Sequence, residues 1–409
     1  MVYIIPSNKF LLQCLIIRIR CARHFIMPAP ERTPLRLILL SLLPLLLLAK
    51  GPEKVATLDR DIWPYPLESR AAFDKASRHE ILQFVKQMSE TALSDEAQVR
   101  SVTGIENINL ESVEKWQELT RERVLRNYRH AQESCDDPVG TCRSVSNWDE
   151  LAALSRSYLP EKRLEPWRSA SERFYRYYLY EQVRLAALFP RITSEIARLH
   201  DTEVQGFEFD DLHFLWTFDD GPDGTRTPRL ARALTANGVH GVFFVLGEKL
   251  ESALARNGTA EMQAFYRDQC VGSHGYIHKA HPKLDTWQES YDKTRGLILE
   301  NALQGTPANT VWFRPPYGQR QSELVTHLHQ LGDEVLLWNI DSQDWNRKLS
   351  EKAVHDRVLT LMLLWRSGVI LFHDIHDKAL PAFEALNPLQ HNGTVVWEDC
   401  RALHTSKAP

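Results

Sequence analysis

The sequence predicts an α/β fold in which an α-helical region precedes a domain built on a parallel β-sheet. Between about residues 57 and 205, apolar residues recur at the spacing of helices. From Phe207 onward, short apolar runs alternate with amphipathic segments, which is typical of parallel strands joined by helices. Acidic residues and histidines directly follow several of these runs, so we expect them to meet at the carboxyl edge of the sheet.

The first element is an apolar segment near the N-terminus, Leu37–Ala49, with Arg32 and Arg36 before it. A basic flank followed by a short apolar core is the pattern of a secretory signal. The segment is shorter than the roughly 20 residues that span a membrane. The sequence therefore predicts a presequence with a signal peptide over residues 1–50, with Met27 as the expected start. An uncleaved membrane anchor and a buried helix stay open as alternatives.

Composition and charge limit what the mature chain does. A hydrophobic share of 43% and a charged share of 25% belong to an ordinary globular protein. The net charge is −4, and loss of residues 1–50 would remove more basic than acidic residues. Because such an acidic chain is a poor binder of nucleic acid, we expect no nucleic-acid partner. We expect the chain to be exported to the periplasm or cell envelope, or anchored there by an uncleaved signal.

Cysteine spacing agrees with export. Cys135 and Cys142 flank a polar, turn-rich hexapeptide that could close a small disulfide loop in an oxidising compartment. Two free surface thiols are the alternative for this pair. Cys270 and Cys400 are expected to be single buried or free thiols.

Residues 51–205 are predicted to form an α-helical accessory domain. Helical spacing covers residues 70–93 and 109–134, and then residues 165–199 with an interruption at Pro190. Asn147 is placed to cap a further helix. The aromatic residues between 174 and 180 are expected to pack in the core, with a platform for sugar rings as the alternative. This region contains no motif that indicates chemistry.

Charged residues after the first predicted strand indicate a metal site. Asp219 and Asp220 end the apolar run Phe214–Phe218 and precede a turn. Two adjacent carboxylates there need a cation or a basic partner. His274 and His278 stand at i and i+4, so their rings can converge. One aspartate and two histidines with open positions suit a divalent metal in hydrolysis, and the second aspartate is then free to act as a base on water.

Three further segments follow apolar runs and complete an ordered set. They are Arg314-Pro315-Pro316-Tyr317-Gly318, Asp341-Ser342-Gln343-Asp344-Trp345 and Leu371-Phe372-His373. With the first two, they resemble the five motifs of the polysaccharide deacetylase family, also called the NodB homology domain or carbohydrate esterase family 4. Those motifs run TFDDG, HxxxH, RPPYG, DxxDW and LxH. The resemblance covers residues 207 to about 388 and implies a distorted (β/α) barrel over residues 206–409.

The resemblance, together with the residue chemistry, assigns a metal and a base. Asp220, His274 and His278 are expected to hold one divalent cation, zinc by its ligand preference, with Co²⁺, Ni²⁺, Mn²⁺ or Fe²⁺ as alternatives. Asp219 is expected to act as general base and Arg314 to orient it. The family usually has Ser or Thr after the first metal histidine, where this chain has Gly275.

The last three motifs supply the other expected roles. The resemblance implies that the backbone N–H of Tyr317 binds the oxyanion and that Tyr317 also contacts substrate. His373 is expected to be the general acid, with Asp344 as its carboxylate partner. Trp345 and Leu371 are expected to line the groove for the acetyl methyl group.

The function predicted from these residues is removal of N-acetyl groups from amino sugars of a polysaccharide such as peptidoglycan, an exopolysaccharide or a chitin-like polymer. Alternatives are an O-acetyl esterase on a decorated polysaccharide, a non-catalytic glycan-binding module, and a helical docking module of a polysaccharide biosynthesis complex. Asp341 is expected to be a turn or supporting residue. Four other histidines are expected to be surface or structural residues rather than ligands: His281, His327, His329 and His376.

Overall fold

The computed structural model describes residues 54–135, 141–306 and 310–403. The predicted signal peptide and Met27 lie outside these residues. These described residues group into one compact unit. In the described part of the chain, no helix combines the length and apolarity that a membrane crossing requires.

Five helices form the region that precedes the sheet. They are α1 (Arg70–Glu90), α2 (Glu96–Thr103), α3 (Leu110–Gln132), α4 (Trp148–Ser157) and α5 (Glu165–Leu188). Asn147 caps α4 as predicted, because its side chain accepts a hydrogen bond from the N–H of Glu150. The predicted helix over residues 165–199 ends earlier, at Leu188, and residues 191–203 form turns instead. Pro190 cannot continue the helix.

Aromatic residues of α5 pack inward, as the sequence predicts. Phe174, Tyr175 and Tyr178 are at most 2% exposed. Beside them, the buried carboxylate of Glu80 accepts hydrogen bonds from Tyr175 Oη and from Trp167 Nε1. Burial of three aromatic side chains and satisfaction of one buried charge make this stretch a structural core.

Within the described residues, eight strands form one sheet in which all neighbouring strands are parallel. They are β1 (His213–Asp219), β2 (Val242–Val245), β3 (Cys270–Ser273), β4 (Trp312–Phe313), β5 (Glu334–Val335), β6 (Ile340–Asp341), β7 (Gly368–His373) and β8 (Val396–Trp397). Their order is β5-β4-β3-β2-β1-β7-β6, and β8 pairs with β1. The predicted parallel sheet is confirmed, and β1 pairs with β2, β7 and β8.

The two edges of this sheet are joined by a short piece of chain. β5 ends at Val335 and β6 begins at Ile340, so the four residues between them span at most about 18 Å. We call residues 336–339, between β5 and β6, the seam. Val204 pairs with it, since its N–H donates to Val335 O and its carbonyl accepts from Leu337 N–H. The sheet therefore curls into the distorted barrel that was expected.

Eight helices surround the barrel strands. They are α6 (Arg226–Ala236), α7 (Gly247–Asn257), α8 (Thr259–Phe265), α9 (Trp287–Glu300), α10 (Ser322–Gln330), α11 (Glu351–Trp365), α12 (Ala379–Leu386) and α13 (Pro388–His391). α11 packs against α1 and α3 on one side and against β6 and β7 on the other. One hydrophobic cluster contains Phe73 of α1, Met362 of α11 and Phe372 of β7. Residues from both sides of position 205 thus share one hydrophobic cluster, and the expected domain boundary there stays a prediction.

Two disulfides connect the described cysteines. Cys135 pairs with Cys142, which settles the two alternatives for this loop in favour of the bond. Cys270 pairs with Cys400, so the expectation of two single thiols is wrong. The pair joins the start of β3 to the segment after β8, and its partners are 130 residues apart, a distance at which sequence spacing carries no signal.

Candidate active site

The end of β1 places two carboxylates at the carboxyl edge of the sheet. Asp219 is the last residue of the strand and is 3% exposed. Asp220 follows with φ of 75°, in the left-handed region that aspartate tolerates better than most residues. Its N–H donates to Phe244 O at the end of β2. The backbone thus leaves the sheet at Asp220 and separates the two carboxylates.

Asp220, His274 and His278 form a cluster that fits a metal ion. One ligand atom from each residue lies within 4.8 Å of the other two. Asp220 Oδ1 is 3.5 Å from His274 Nε2 and 3.4 Å from His278 Nε2. This oxygen is buried and has no hydrogen-bond partner among the described residues. A buried carboxylate oxygen facing two imidazole nitrogens without a hydrogen bond is the environment that a cation would satisfy.

The ring of His274 is held in the form that a metal requires. Its Nδ1 lies 2.7 Å from Arg314 O and donates to that carbonyl, which leaves the lone pair on Nε2 facing Asp220. Burial lowers the pKa of His274 to about 3, so the ring is neutral. Both features match those of histidine ligands in metal sites.

The loop after His274 depends on glycine. Gly275 has φ of 80°, and a Cβ there would lie 2.9 Å from Nε2 of buried His281. Two serine hydroxyls hold this loop, since Gly275 N–H donates to Ser273 Oγ and Tyr276 N–H donates to Ser290 Oγ. Hydroxyls therefore support the loop from neighbouring positions, although position 275 itself has none.

A buried arginine fixes Asp219. Arg314 is fully buried, and its guanidinium donates to Asp219 Oδ1 at 2.9 Å, to Thr217 Oγ1 at 2.8 Å and to the carbonyl of Leu337 at 2.8 Å. Burial raises the pKa of Asp219, and the charges of Arg314 and His373 oppose that rise. Asp219 is thus a carboxylate whose basicity is increased while its orientation is fixed.

His373, the last residue of β7, forms a close pair with Asp344. Asp344 Oδ1 lies 2.7 Å from His373 Nδ1, and Asp344 Oδ2 accepts from His373 N–H at 2.9 Å. Burial lowers the pKa of His373, but the carboxylate of Asp344, followed by those of Asp220 and Asp219, raises it to about 10. His373 is therefore a cationic acid near neutral pH. Strand pairing of β1 with β7 puts it directly beside Asp219.

The remaining expected residues lie around this centre in different environments. Tyr317 has φ of 60°, its side chain is 59% exposed, and its ring lies 4.6 Å from the ring of His278. Trp345 is 42% exposed and lines a cavity of about 760 Å³ together with Asp344. Leu371 is buried in β7. Of these three residues, Tyr317 and Trp345 are exposed to solvent, whereas Leu371 is not.

Residues 209–336 match a family model described as polysaccharide deacetylase. This part of the chain is similar to polysaccharide deacetylases. The matched residues include the ends of β1, β3 and β4. The motifs with Asp344 and His373 follow the matched residues, and the fold returns both side chains to the same centre.

Curated relatives of the deacetylase domain act on different polymers by name. The chain is 29% identical over 181 residues to the peptidoglycan-N-acetylglucosamine deacetylase PgdA of Listeria monocytogenes, covering 43% of this chain and 36% of PgdA. It is 34% identical over 163 residues to a bifunctional xylanase/xylan deacetylase of Cellvibrio japonicus, covering 39% of this chain and 22% of the relative. It is 28% identical over 178 residues to chitin deacetylase 2 of Saccharomyces cerevisiae, covering 42% and 54%. The chain thus spans only about a fifth to a half of these relatives.

Several supporting residues of the deacetylase domain were not predicted. Thr217 stands two residues before Asp219 and shares its side of β1, which the period of a strand could have indicated. Asp374 is buried, accepts a hydrogen bond from Thr227 Oγ1 and has a pKa raised by burial to about 7.

Asp341 acts as a turn residue, as expected from the sequence, since its side chain accepts from Gln343 N–H. In the described part of the chain, the ligand cluster contains none of the four histidines that were expected to be surface or structural residues: His281, His327, His329 and His376.

Proposed function

We propose that the protein is a metal-dependent hydrolase that removes N-acetyl groups from amino sugars of a polysaccharide. The observation that carries this proposal is that the triad of Asp220, His274 and His278 lies beside a fixed carboxylate and a cationic imidazole, which neighbour each other on adjacent strands. Asp219 is the base and His373 the acid. The names of the relatives support polysaccharide deacetylation as the reaction class.

Zinc is the proposed cation, held by Asp220, His274 and His278, because one carboxylate and two imidazoles with open positions suit hydrolytic zinc. Cobalt, nickel, manganese and iron are alternatives to zinc, because carboxylate and imidazole ligands also bind these ions. When bound, the cation lowers the pKa of a coordinated water and polarises the acetyl carbonyl.

The chain's own residues then move the protons. Asp219, held by Arg314, accepts a proton from the attacking water. The backbone N–H of Tyr317 donates to the oxyanion that develops on the acetyl carbonyl oxygen when water attacks the carbonyl carbon. His373, kept protonated by Asp344, donates its proton to the leaving nitrogen, so the products are acetate and a free amine. Trp345 and Leu371 are proposed to contact the acetyl methyl group.

An O-acetyl esterase is the second candidate. The Cellvibrio relative, named in part as a xylan deacetylase, favours it. An ester has a better leaving group than an amide and needs less protonation. Substitution of His373 by alanine should therefore harm amide substrates far more than ester substrates.

Export to the periplasm or cell envelope is proposed for the mature chain. The two disulfides support it, because such bonds persist in oxidising compartments. N-terminal sequencing of the exported form tests it, with a start near residue 51 expected. An intact, reduced chain in the cytoplasm would contradict it. A function of α1–α5 in docking stays a prediction.

The decisive experiment combines metal content with product analysis. Purified protein should hold about one divalent ion per chain, and N-acetylated peptidoglycan, chitin oligomers and O-acetylated xylan should be compared for release of acetate and free amines. His274→Ala should lose both metal and activity because it removes a ligand. His327→Ala is the matched control, since His327 pairs with Asp292 away from the cluster. Full activity without metal would overturn the site, and acetate without free amine would favour the esterase.

A further inference from the structure

A segment of the N-terminal region runs along the active-site loop before β1 begins. Residues 193–206 follow α5 and the turn at Pro190. At one end, Ser194 and Glu195 pack against Gly318, where an added Cβ would meet backbone atoms at 3.2 and 3.3 Å. At the other end, Val204 pairs with the seam between β5 and β6. The segment therefore lies against the deacetylase domain along its length, although it precedes the residues matched by the family model.

One buried arginine fastens this segment to the loop that carries Tyr317. The guanidinium of Arg320 makes a two-point ion pair with Glu203, with Nε–Oε1 at 2.5 Å and Nη2–Oε2 at 2.6 Å. It also donates to the carbonyls of Gly318, Ser194 and Ala197 at 2.9–3.0 Å. Both side chains of the ion pair are about 1% exposed. Such a pair is geometrically exacting, and loss of one partner leaves a buried charge.

Backbone contacts strengthen the same connection. Thr193 Oγ1 accepts from Arg320 N–H at 2.7 Å and donates to Arg320 O at 2.8 Å. Thr193 thus holds the backbone of Arg320, and Glu203 holds its side chain. The guanidinium of Arg320 also donates to the carbonyl of Gly318 in the same loop. We call Thr193, Glu203 and Arg320 the loop clamp.

The loop needs such support because of the conformation of Tyr317. Its φ of 60° lies in the left-handed region, which is unfavourable for a residue with a side chain. A residue in that region keeps its conformation only when the surrounding structure determines it. Tyr317 is followed directly by Gly318, whose carbonyl Arg320 holds. The direction of the Tyr317 N–H is therefore coupled to the clamp.

We propose that Arg320, Glu203 and Thr193 are positioning residues that aim the N–H of Tyr317 at the developing oxyanion. On this view, a segment outside the five motifs belongs to the catalytic unit. The catalytic half of this inference rests on the proposed function. The mechanical half, which states that the clamp fixes the conformation of the loop, does not depend on the proposed function.

The test compares clamp variants with a matched ion pair at the opposite end of the barrel. Glu203→Gln removes the charge from the clamp, and Thr193→Val removes its hydroxyl at nearly constant volume. Asp211→Asn is the control, because Asp211 makes a similar two-point pair with buried Arg366 just before the start of β7. All variants are measured below their melting temperatures as full chains loaded with zinc.

Clamp variants should lower kcat by about 10- to 100-fold with KM and metal content nearly unchanged, since a poorly aimed donor weakens only transition-state binding. Amide hydrogen exchange over residues 317–320 should rise in the clamp variants and stay at the wild-type rate in Asp211→Asn. Equal kcat losses in all three variants, or unchanged exchange in both clamp variants, would overturn the inference. If the wild type releases no acetate, the proposed function fails, and exchange still decides the mechanical half.

Discussion

Substitution of Asp344 by asparagine would separate the charge of the His373 partner from its shape. In the wild type, the carboxylate contacts both Nδ1 and the backbone N–H of His373 at 2.7 and 2.9 Å. The amide keeps an oxygen acceptor and nearly the same volume but carries no charge. The variant therefore tests whether the carboxylate keeps His373 protonated.

The size of the effect follows from the pKa of His373. A value of about 10 lies about 3.5 pH units above the ordinary 6.5, which corresponds to about 5 kcal/mol in favour of the imidazolium. Since this pKa is raised in the folded state, the stabilisation is fully present below pH 6.5 and is lost as the pH rises through about 10. Without the carboxylate, burial should return the pKa to about 6.5 or below. A cation at Asp220 would also lower it in the loaded enzyme.

Two measurements follow. The ring of His373 should titrate near pH 10 by NMR in metal-free wild type and several pH units lower in Asp344→Asn. In zinc-loaded protein, the alkaline limb of amide hydrolysis should move down, so that activity at pH 8.5 falls on the order of 100-fold and activity at pH 6 falls far less. An alkaline limb in the same place for both proteins would refute the role of His373 as the acid.

Three further predictions address other features. Asp219→Asn should lower acetate release by about 10²–10⁴-fold and leave the metal content unchanged, because the amide cannot accept the proton; loss of metal would mean that Asp219 is a ligand. Gly275→Ala should lower the melting temperature, because its Cβ would crowd His281 and its φ is positive. His281→Ala should restore part of the loss in the double variant, and full stability of Gly275→Ala alone would contradict the argument. Cys400→Ser should lower the free energy of unfolding by about 2–4 kcal/mol in denaturant titrations, because it opens the Cys270–Cys400 link; an unchanged midpoint would argue against the bond.

Strand ends were the part of the site that the sequence predicted best. Asp219 and His373 each end an apolar run, and parallel strands bring such ends to one edge. The spacing of His274 and His278 agreed with their convergence on Asp220, which the structure confirms. The roles assigned to these residues stay predictions, because position alone does not establish chemistry.

Contacts between distant parts of the chain were not predictable from local patterns. Cys270 and Cys400 meet only because β8, which follows the other strands along the chain, pairs with β1. Glu203 and Arg320 are 117 residues apart, and neither belongs to a motif that indicates its partner. In both cases the tertiary fold creates the pair, whereas periodicity reports only the element in which each residue stands.

The sharing of α11 between the helical region and the barrel has a consequence for the order of folding. Ser77 and Asn127 bond to carbonyls of Leu363 and Leu364, across 286 and 237 residues of chain. A chain delivered N-terminus first thus presents α1–α5 long before α11 arrives to cover their apolar faces. Such late-closing contacts slow folding and expose surfaces prone to aggregation. Chains arrested before residue 351 should therefore depend on holding chaperones, even though all five helices have already been synthesised.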